Sequence, residues 1–367
     1  MLRIINVVGA RPNFIKIAPI LNEMARHTDE ITPILVNTGQ HYDREMVDFF
    51  FQDLDIPAPN LNLGVGSGTH AAQTAKVMTA FERVCDDLVP DLILVVGDVN
   101  STLACSLVAT KLGIKVAHVE SGLRSFDRTM PEEINREVTD LLSDFLFTTS
   151  GEAEGNLLKM GIPREKIHFV GNVMIDSLNG HLSQARNRPV LKKLKLDDEE
   201  FVLLTLHRPS NVDNSMVLKG LLNVFEQIQH RIKIVFPAHP RTVKNIEKFK
   251  LTKKLKSLEN LQIISPQGYL DFLSLVDKSK LVLTDSGGLQ EETTVLGVPC
   301  LTLRSNTERP VTITVGTNIL VGLDMDRILL EANKVLDGNP KVGKVPPLWD
   351  GYASKRIVDI LLREMKS

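Results

Sequence analysis

Cysteine is scarce. Only Cys85, Cys105 and Cys300 occur in 367 residues, far apart in the chain. They form no metal-ligand spacing, and so thin a thiol content suits a reducing compartment better than a disulfide scaffold. Long apolar runs are missing as well, since none approaches the roughly 20 residues needed to cross a bilayer. The opening run, Met-Leu-Arg-Ile-Ile-Asn-Val-Val-Gly, is too short for a signal peptide and reads as a first strand. A cytoplasmic protein is the expectation. Excess charge of one sign is also lacking. Lys and Arg number 43 against 45 Asp and Glu, and the net charge of −2 points to no bulk nucleic-acid or membrane partner. Local cations must account for any anion binding. Low-complexity segments and short repeats are absent too.

What is present is ordinary for a globular chain, with 43% hydrophobic and 24% charged residues. Its length exceeds one usual core and predicts two domains. Apolar runs alternate with helical patterns. Strands are expected at residues 3–8, 32–37, 92–96, 115–119, 145–148 and 168–170, with helical segments such as 14–26, 71–88 and 102–112 between them. The rhythm resumes at 202–206, 233–236, 262–264, 281–284, 300–303 and 318–320. Such β-α-β alternation predicts parallel sheets covered on both faces, hence an α/β fold of two doubly wound, Rossmann-like domains facing a central cleft. The charged stretch 182–200 interrupts the rhythm and reads as a solvated domain boundary.

The segment 118–137, His-Val-Glu-Ser-Gly-Leu-Arg-Ser-Phe-Asp-Arg-Thr-Met-Pro-Glu-Glu-Ile-Asn-Arg-Glu, carries the strongest signal. Glu120 stands at a strand's carboxyl end and Glu132 at a helix start, positions that face a ligand crevice in open parallel sheets. Arg124, Asp127 and Arg128 make the loop between them more polar than a connection requires. The spacing of Ile134, Val138, Leu141, Leu142 and Phe145 predicts that the helix buries its apolar stripe. The plainer reading of Glu132 is a capping box with Thr129. The plainer reading of Asp98, in Gly97-Asp98-Val99-Asn100-Ser101-Thr102, is a helix N-cap.

Other motifs sit where such sheets bind ligands. Gly9-Ala10-Arg11-Pro12-Asn13-Phe14-Ile15-Lys16 puts two cations near a helix start, suited to an anion or simply exposed. Thr284-Asp285-Ser286-Gly287-Gly288-Leu289-Gln290-Glu291-Glu292 ends a strand, allows close backbone approach and opens a helix, an arrangement suited to a diphosphate. Glu292 either reaches a ribose hydroxyl or is exposed. Arg304 and Arg309 follow the next strand as further diphosphate partners. His207-Arg208 and Pro237-Ala238-His239-Pro240-Arg241 are strand exits, the first a candidate anion contact and the second a rigid turn. Gly64-Val65-Gly66-Ser67-Gly68 lacks the spacing of a dinucleotide fingerprint. The acidic pairs Asp53/Asp55 and Asp324/Asp326 read as turn and helix-start residues rather than a metal motif.

Gly-Ala-Arg-Pro-(x)3-Lys at 9–16, Gly-Asp at 97–98, His-Val-Glu-Ser-Gly-Leu-Arg at 118–124, Pro-Glu-Glu-Ile-Asn-Arg at 131–136, His-Arg at 207–208, Asp-Ser-Gly-Gly-Leu-Gln-Glu-Glu at 285–292 and Thr-Glu-Arg-Pro at 307–310 run in that order. Together they resemble the non-hydrolysing UDP-N-acetylglucosamine 2-epimerases. The resemblance implies the two-domain glycosyltransferase-B fold. Residues 1–175 would carry the catalytic carboxylates and 176–350 the UDP site, with a final helix in 351–367 returning to the first domain. It implies interconversion of UDP-GlcNAc and UDP-ManNAc without cofactor or metal, by a homodimer. Asp98, Glu120 and Glu132 would be catalytic, with His207. Arg11, His207 and Arg309 would hold the diphosphate; Lys16, Gln267, Phe272, Ser286, Gly287, Gly288 and Glu292 would complete the UDP site, Phe272 against the uracil. In some bacterial relatives a second, activating UDP-GlcNAc uses a Gln-His loop and two arginines. Here Gln40, His41 and Arg208 remain, but Asp43 and Pro209 depart from that pattern, and activation is expected to be weakened or absent. Three neighbouring activities share the fold or the motifs: epimerisation of a UDP-diacetamido-uronic acid, a hydrolysing 2-epimerase, and glycosyl transfer.

Overall fold

The computed structural model describes residues 1–40, 53–54 and 56–365. The chain divides into two compact units, Met1–Gly180 with Pro347–Ser367, and His181–Pro346. The first is built on β1 (Leu2–Val8), β2 (Ile31–Asn37), β3 (Leu61–Asn62), β4 (Leu92–Val96), β5 (Lys115–Ser121), β6 (Phe145–Thr148) and β7 (Ile167–Phe169). They form one seven-stranded sheet in the order β3-β2-β1-β4-β5-β6-β7. The second holds β8 (Phe201–Thr205), β9 (Lys233–Pro237), β10 (Leu261–Ile264), β11 (Leu281–Thr284), β12 (Cys300–Thr302) and β13 (Asn318–Leu320), ordered β10-β9-β8-β11-β12-β13. All these pairings are parallel. The strands lie within two residues of the expected runs. The exception is β3, whose two exposed residues carry no apolar pattern.

Parallel strands covered on both faces need apolar residues at consecutive positions, and the central strands have them. In β8, Phe201 and Leu203 pack into one core with Val235, Val282 and Leu289. Val202 and Leu204 turn to the opposite core with Phe225, Ile234 and Phe236. In the first unit, Ile5, Val7, Ile93 and Val95 meet Phe81, Cys105 and Val108 from the helices His70–Leu88 and Asn100–Lys111. The helix Ala353–Glu364 packs on the helix Arg11–Met24. Asp176 fixes its start by accepting the backbone N–H groups of Ala353 (3.1 Å) and Ser354 (2.7 Å). Both sheets reverse strand order once, between β1 and β4 and between β8 and β11, and loops leaving those strands flank a topological switch point. Among the described residues, no helix is long and apolar enough to cross a membrane.

Two expectations fail here. The helix Pro131–Leu142 does not bury its apolar stripe: Ile134 is 41% exposed and Leu141 58%. It buries Glu133, Asn135, Arg136, Thr139 and Asp140 instead. Glu133, Asn135, Arg136 and Asp140 find charged and polar partners on β5, on the loop after β4 and on the loop ahead of the helix, and that network outweighs the transfer energy of the stripe. The stretch 182–200 is not merely a solvated boundary. The helix Val173–Arg186 runs into it, Val190–Leu194 is helical, and Val190 and Leu196 are buried in the second unit's core. Its arginines pair with carboxylates of that unit, Arg186 with Asp277 and Arg188 with Asp271. The lysines and acids from 192 onward are exposed, as expected.

Candidate active site

The turn after β1 and the turn after β4 are tied together by Asn13. Its Oδ1 accepts the backbone N–H groups of Gly9 (3.2 Å) and Ala10 (3.0 Å), while Nδ2 donates to the Val96 carbonyl (2.9 Å). One turn further along that helix, Lys16 buries its ammonium against the Glu120 carboxylate. Gly97 lies directly beneath the pair with φ +69°. A Cβ there would stand 3.1 Å from Lys16 Nζ and 3.5 Å from Glu120 Oε2, so a side chain would crowd the lysine as well as strain the left-handed backbone. Next to it, Asp98 pairs with Arg136 on the helix Pro131–Leu142. Arg136 also holds Glu133 at 2.7 Å. Glu133 in turn accepts Ser125 N and Phe126 N at 2.9 Å each, which fixes the loop that follows β5.

Glu120 owes its aim to a break in the strand. β5 runs on through Ser121, but Val119 pairs with Phe147 and Ser121 with Thr148, so Glu120 is the extra residue of a bulge. Its φ of +68° is a left-handed conformation that a side chain of this size adopts only when its surroundings impose it. The imposing group is close by. His118 is fully buried, with Nδ1 2.7 Å from Asp140 Oδ1 and Nε2 2.9 Å from the Gly97 carbonyl. Asp140 also accepts Gly122 N at 3.1 Å and pairs with Arg124. One fully buried carboxylate thus anchors both the residues after the bulge and, through His118, the turn that carries Asp98.

The plainer readings of two carboxylates do not survive. Val99, not Asp98, is the N-cap of Asn100–Lys111, and no side chain caps it. Met130 is the N-cap of Pro131–Leu142, and Thr129 spends its hydroxyl on Asp127 Oδ1 (2.6 Å) instead of a capping box. Glu132 stands half-buried in the first turn, with no capping role.

In the second unit, functional candidates line the carboxyl ends of adjacent strands: His239 after β9, His207 after β8, Asp285 after β11 and Arg304 after β12. The helix Gly287–Leu296 begins at this edge with Ser286 as N-cap. Arg309 lies so near its first turn that a Cβ on Gly287 would be 2.8 Å from Nη1. A side chain at this position would push the guanidinium aside. Helix dipole and cation add, and Glu291, 2.9 Å from Arg309 Nε, and Glu308, which pairs with Arg304 at 3.0 Å, offset part of that charge. Glu292 is buried rather than exposed. Burial, then the charge and hydrogen bonding of Glu292, push the Tyr269 hydroxyl well above its usual pKa. Asp285 behaves oppositely. Burial alone would raise its carboxyl, but the His207 ring and the backbone N–H groups of Arg208 and His207 outweigh that and hold it below the usual carboxylate range.

The family model for UDP-N-acetylglucosamine 2-epimerase matches residues 22–362. The chain belongs to that family. A UDP-N-acetylglucosamine 2-epimerase of Methanocaldococcus jannaschii is 45% identical over 361 residues, 97% of each chain. A UDP-2,3-diacetamido-2,3-dideoxy-D-glucuronate 2-epimerase of Pseudomonas aeruginosa is 40% identical over 365 residues, covering 99% of this chain and all of its own length. The crystal structure of the Methanocaldococcus jannaschii UDP-GlcNAc 2-epimerase in complex with UDP-GlcNAc and UDP superposes with a TM-score of 0.91 at 44% identity, over 99% of this chain and 100% of the other. The expected α/β architecture of two Rossmann-like sheets is the fold of this epimerase family.

The remaining residues implied by the epimerase motifs fall as follows. Lys16, expected to contact UDP, is the counter-ion of Glu120. The Arg11 side chain and His41 lie outside the described residues. Gln40 is buried, and its amide oxygen accepts Ser101 N (3.2 Å) and Ser101 Oγ (2.8 Å), securing the helix that follows Asp98. Arg208 approaches Glu308 at 3.8 Å, and Pro209 opens the short helix Pro209–Val212. Phe272 is half-buried against the second unit's core, and Gln267 bonds the Ser265 carbonyl at 2.7 Å. Asp324 caps the helix Met325–Leu336, as a helix-start acid should. Sequence reasoning overlooked His118, Glu133, Arg136, Asp140 and the role of Asp285. The spacing Glu133/Arg136/Asp140 was the available signal, a charged stripe on the helix face opposite the apolar one.

Proposed function

We propose that this chain interconverts UDP-GlcNAc and UDP-ManNAc by eliminating and re-adding UDP through a 2-acetamidoglucal. The observation carrying this reading is the meeting of Glu120, Lys16 and Asp98 at the Gly97 turn, acid–base groups at a sheet's switch point. The C2 hydrogen of the sugar has no neighbouring carbonyl to acidify it. Breaking the C1–O bond builds positive charge at C1 and makes C2–H removable by a carboxylate, leaving the glycal and UDP. Protonation of C2 from the opposite face, with return of UDP to C1, gives the epimer. Nothing is oxidised or reduced overall. Asp98, Glu120 and Glu132 are the acid–base groups; Arg309, His207 and the start of Gly287–Leu296 stabilise the departing diphosphate; buried Glu292 suits the ribose.

Incubation with UDP-GlcNAc in heavy water, without acceptor, tests this. Expected are UDP-ManNAc and deuterium at C2 of both sugars by NMR. Epimerisation without deuterium, or UDP release only when an acceptor is added, would discard it. Because the Pseudomonas aeruginosa relative acts on a diacetamido-uronic acid, the same assay with that UDP-sugar decides the preferred substrate.

The protein acts in the cytoplasm as a homodimer on this reading. The three buried, unbridged cysteines suit a reducing compartment. The outward stripe Ile134, Val138 and Leu141, beside the partly exposed Leu103 and Leu107 on the neighbouring helix, supports a self-complementary surface. Leu141→Glu is expected to shift the light-scattering mass from dimer to monomer. An unchanged dimer would place the interface elsewhere.

A further inference from the structure

At the switch point of the second sheet, β8 and β11 are neighbours, and the first residues beyond them interlock. Asp285 is fully buried, and its two oxygens have separate tasks. Oδ2 accepts the backbone N–H groups of His207 and Arg208 at 2.9 Å each and Asn211 Nδ2 at 3.1 Å. Oδ1 lies 2.8 Å from His207 Nδ1, with a longer contact of 3.2 Å to His207 N. A carboxylate in that position accepts, so Nδ1 carries the proton. The other ring nitrogen, Nε2, has no hydrogen-bond partner among the described residues, and the His207 side chain is 42% exposed. The His239 ring stands 6.0 Å away, tilted by 39°. Its Nδ1 accepts Arg241 N at 3.1 Å.

We infer that Asp285 is a positioning residue for epimerisation: it holds Nδ1–H of His207, fixes the direction of the ring and balances its charge when Nε2 is protonated as well, so that Nε2–H is the donor offered to the diphosphate of the nucleotide sugar. This rests on the functional reading above. Nε2 then works in both directions of the reaction. Carrying a proton, it donates to the phosphate oxygen that gains charge as the C1–O bond breaks. Asp285 balances the positive ring behind it. When UDP returns, the same contact relaxes with no change in ring orientation. The plain alternative is that Asp285 only clamps the turn 207–211, and that its contact with Nδ1 is incidental.

Asp285→Asn separates the two. An amide oxygen at the Oδ2 position keeps the turn clamped, while the NH2 group at the Oδ1 position faces Nδ1 with a donor and leaves a neutral Nε2–H ring, so the donor toward the diphosphate stays but its positive charge is lost. Weakening a group aimed at charge that develops in the transition state costs up to about 10²–10³ in kcat. His207 here serves a leaving group rather than a nucleophile, and a fall of about a hundredfold in kcat is expected, with UDP affinity changed by less than about threefold. Two further readouts guard against simple misfolding. In ¹⁵N-histidine-labelled protein saturated with UDP, the His207 ring resonances should report both nitrogens protonated in the wild type and Nε2–H alone in Asp285→Asn. The double variant with His207→Asn should be no slower than His207→Asn alone, because Asp285 acts through that ring. Unchanged ring resonances, or losses that add in the double variant, would reduce Asp285 to a clamp and overturn the inference. Wild-type turnover of UDP-GlcNAc tests the functional reading separately, since the ring resonances are read without turnover.

Discussion

Glu120→Gln is expected to lower kcat by about a thousandfold while leaving UDP affinity within a factor of a few. Glutamine has nearly the shape of glutamate, and its amide oxygen can still accept from Lys16, so the bulge and the Gly97 turn keep their geometry. What disappears is the capacity to take a proton from C2. Because elimination and re-addition share that step, deuterium wash-in at C2 should fall in proportion to kcat. The residual rate also sorts the carboxylates. If Glu120 serves one face of C2 only, the variant loses exchange from one epimer more steeply than from the other. A variant that retains near-normal kcat and wash-in would remove Glu120 from the chemistry and leave it as the counter-ion of Lys16. The buried ammonium complicates stability rather than rate. Losing its charged partner raises the cost of keeping Lys16 buried, and a lower melting temperature is expected alongside the kinetic loss. Comparing kcat well below that temperature keeps the two effects apart.

Much of this arrangement could be read from residue order. Strand and helix placement follows from apolar runs long enough to be buried on two faces, and loops at the carboxyl ends of parallel strands are ligand sites by topology alone. Hence the Gly97-Asp98 turn, Glu120 and the start of Gly287–Leu296 were legible. The failures share one cause. Periodicity reports which face of a helix is apolar, not which face has partners, and in Pro131–Leu142 the two disagree. Arg136 reaches Asp98 and Asp140 reaches His118 across 38 and 22 residues of sequence, distances over which no local pattern carries information. The pairing of Lys16 with Glu120 was invisible for the same reason. A lysine in the first turns of a helix suggests an anion, and a carboxylate 104 residues further along the chain stands against it. The bulge at Glu120 has no glycine to announce it, because surrounding hydrogen bonds enforce the left-handed backbone.

Asp140→Ala is expected to be the most destabilising single replacement in the first unit, lowering the unfolding free energy by about 3–5 kcal/mol. The side chain is fully buried, and four groups depend on it or lie one bond away: Arg124, His118, Gly122 N and, through His118, the Gly97 carbonyl. Truncation leaves a buried guanidinium and a buried imidazole without their carboxylate, and the desolvation already spent on them is no longer offset. Urea denaturation should show a lower midpoint with an unchanged slope, the signature of lost stability without a change in the surface exposed. Asp140→Asn should cost less, since the amide still accepts one hydrogen bond, yet it leaves Arg124 unpaired. The sharper test replaces His118, Arg124 and Asp140 together with apolar residues of similar volume. If charge pairing is the whole of their contribution, that variant regains most of the stability lost by Asp140→Ala. Activity should not return with it, because Gly97 and the Glu120 bulge lose the hydrogen bonds that aim the carboxylates. A triple variant that is stable and fully active would show that the Gly97 turn holds its shape without the buried ions, and a single variant within about 1 kcal/mol of wild type would show that solvent reaches Arg124.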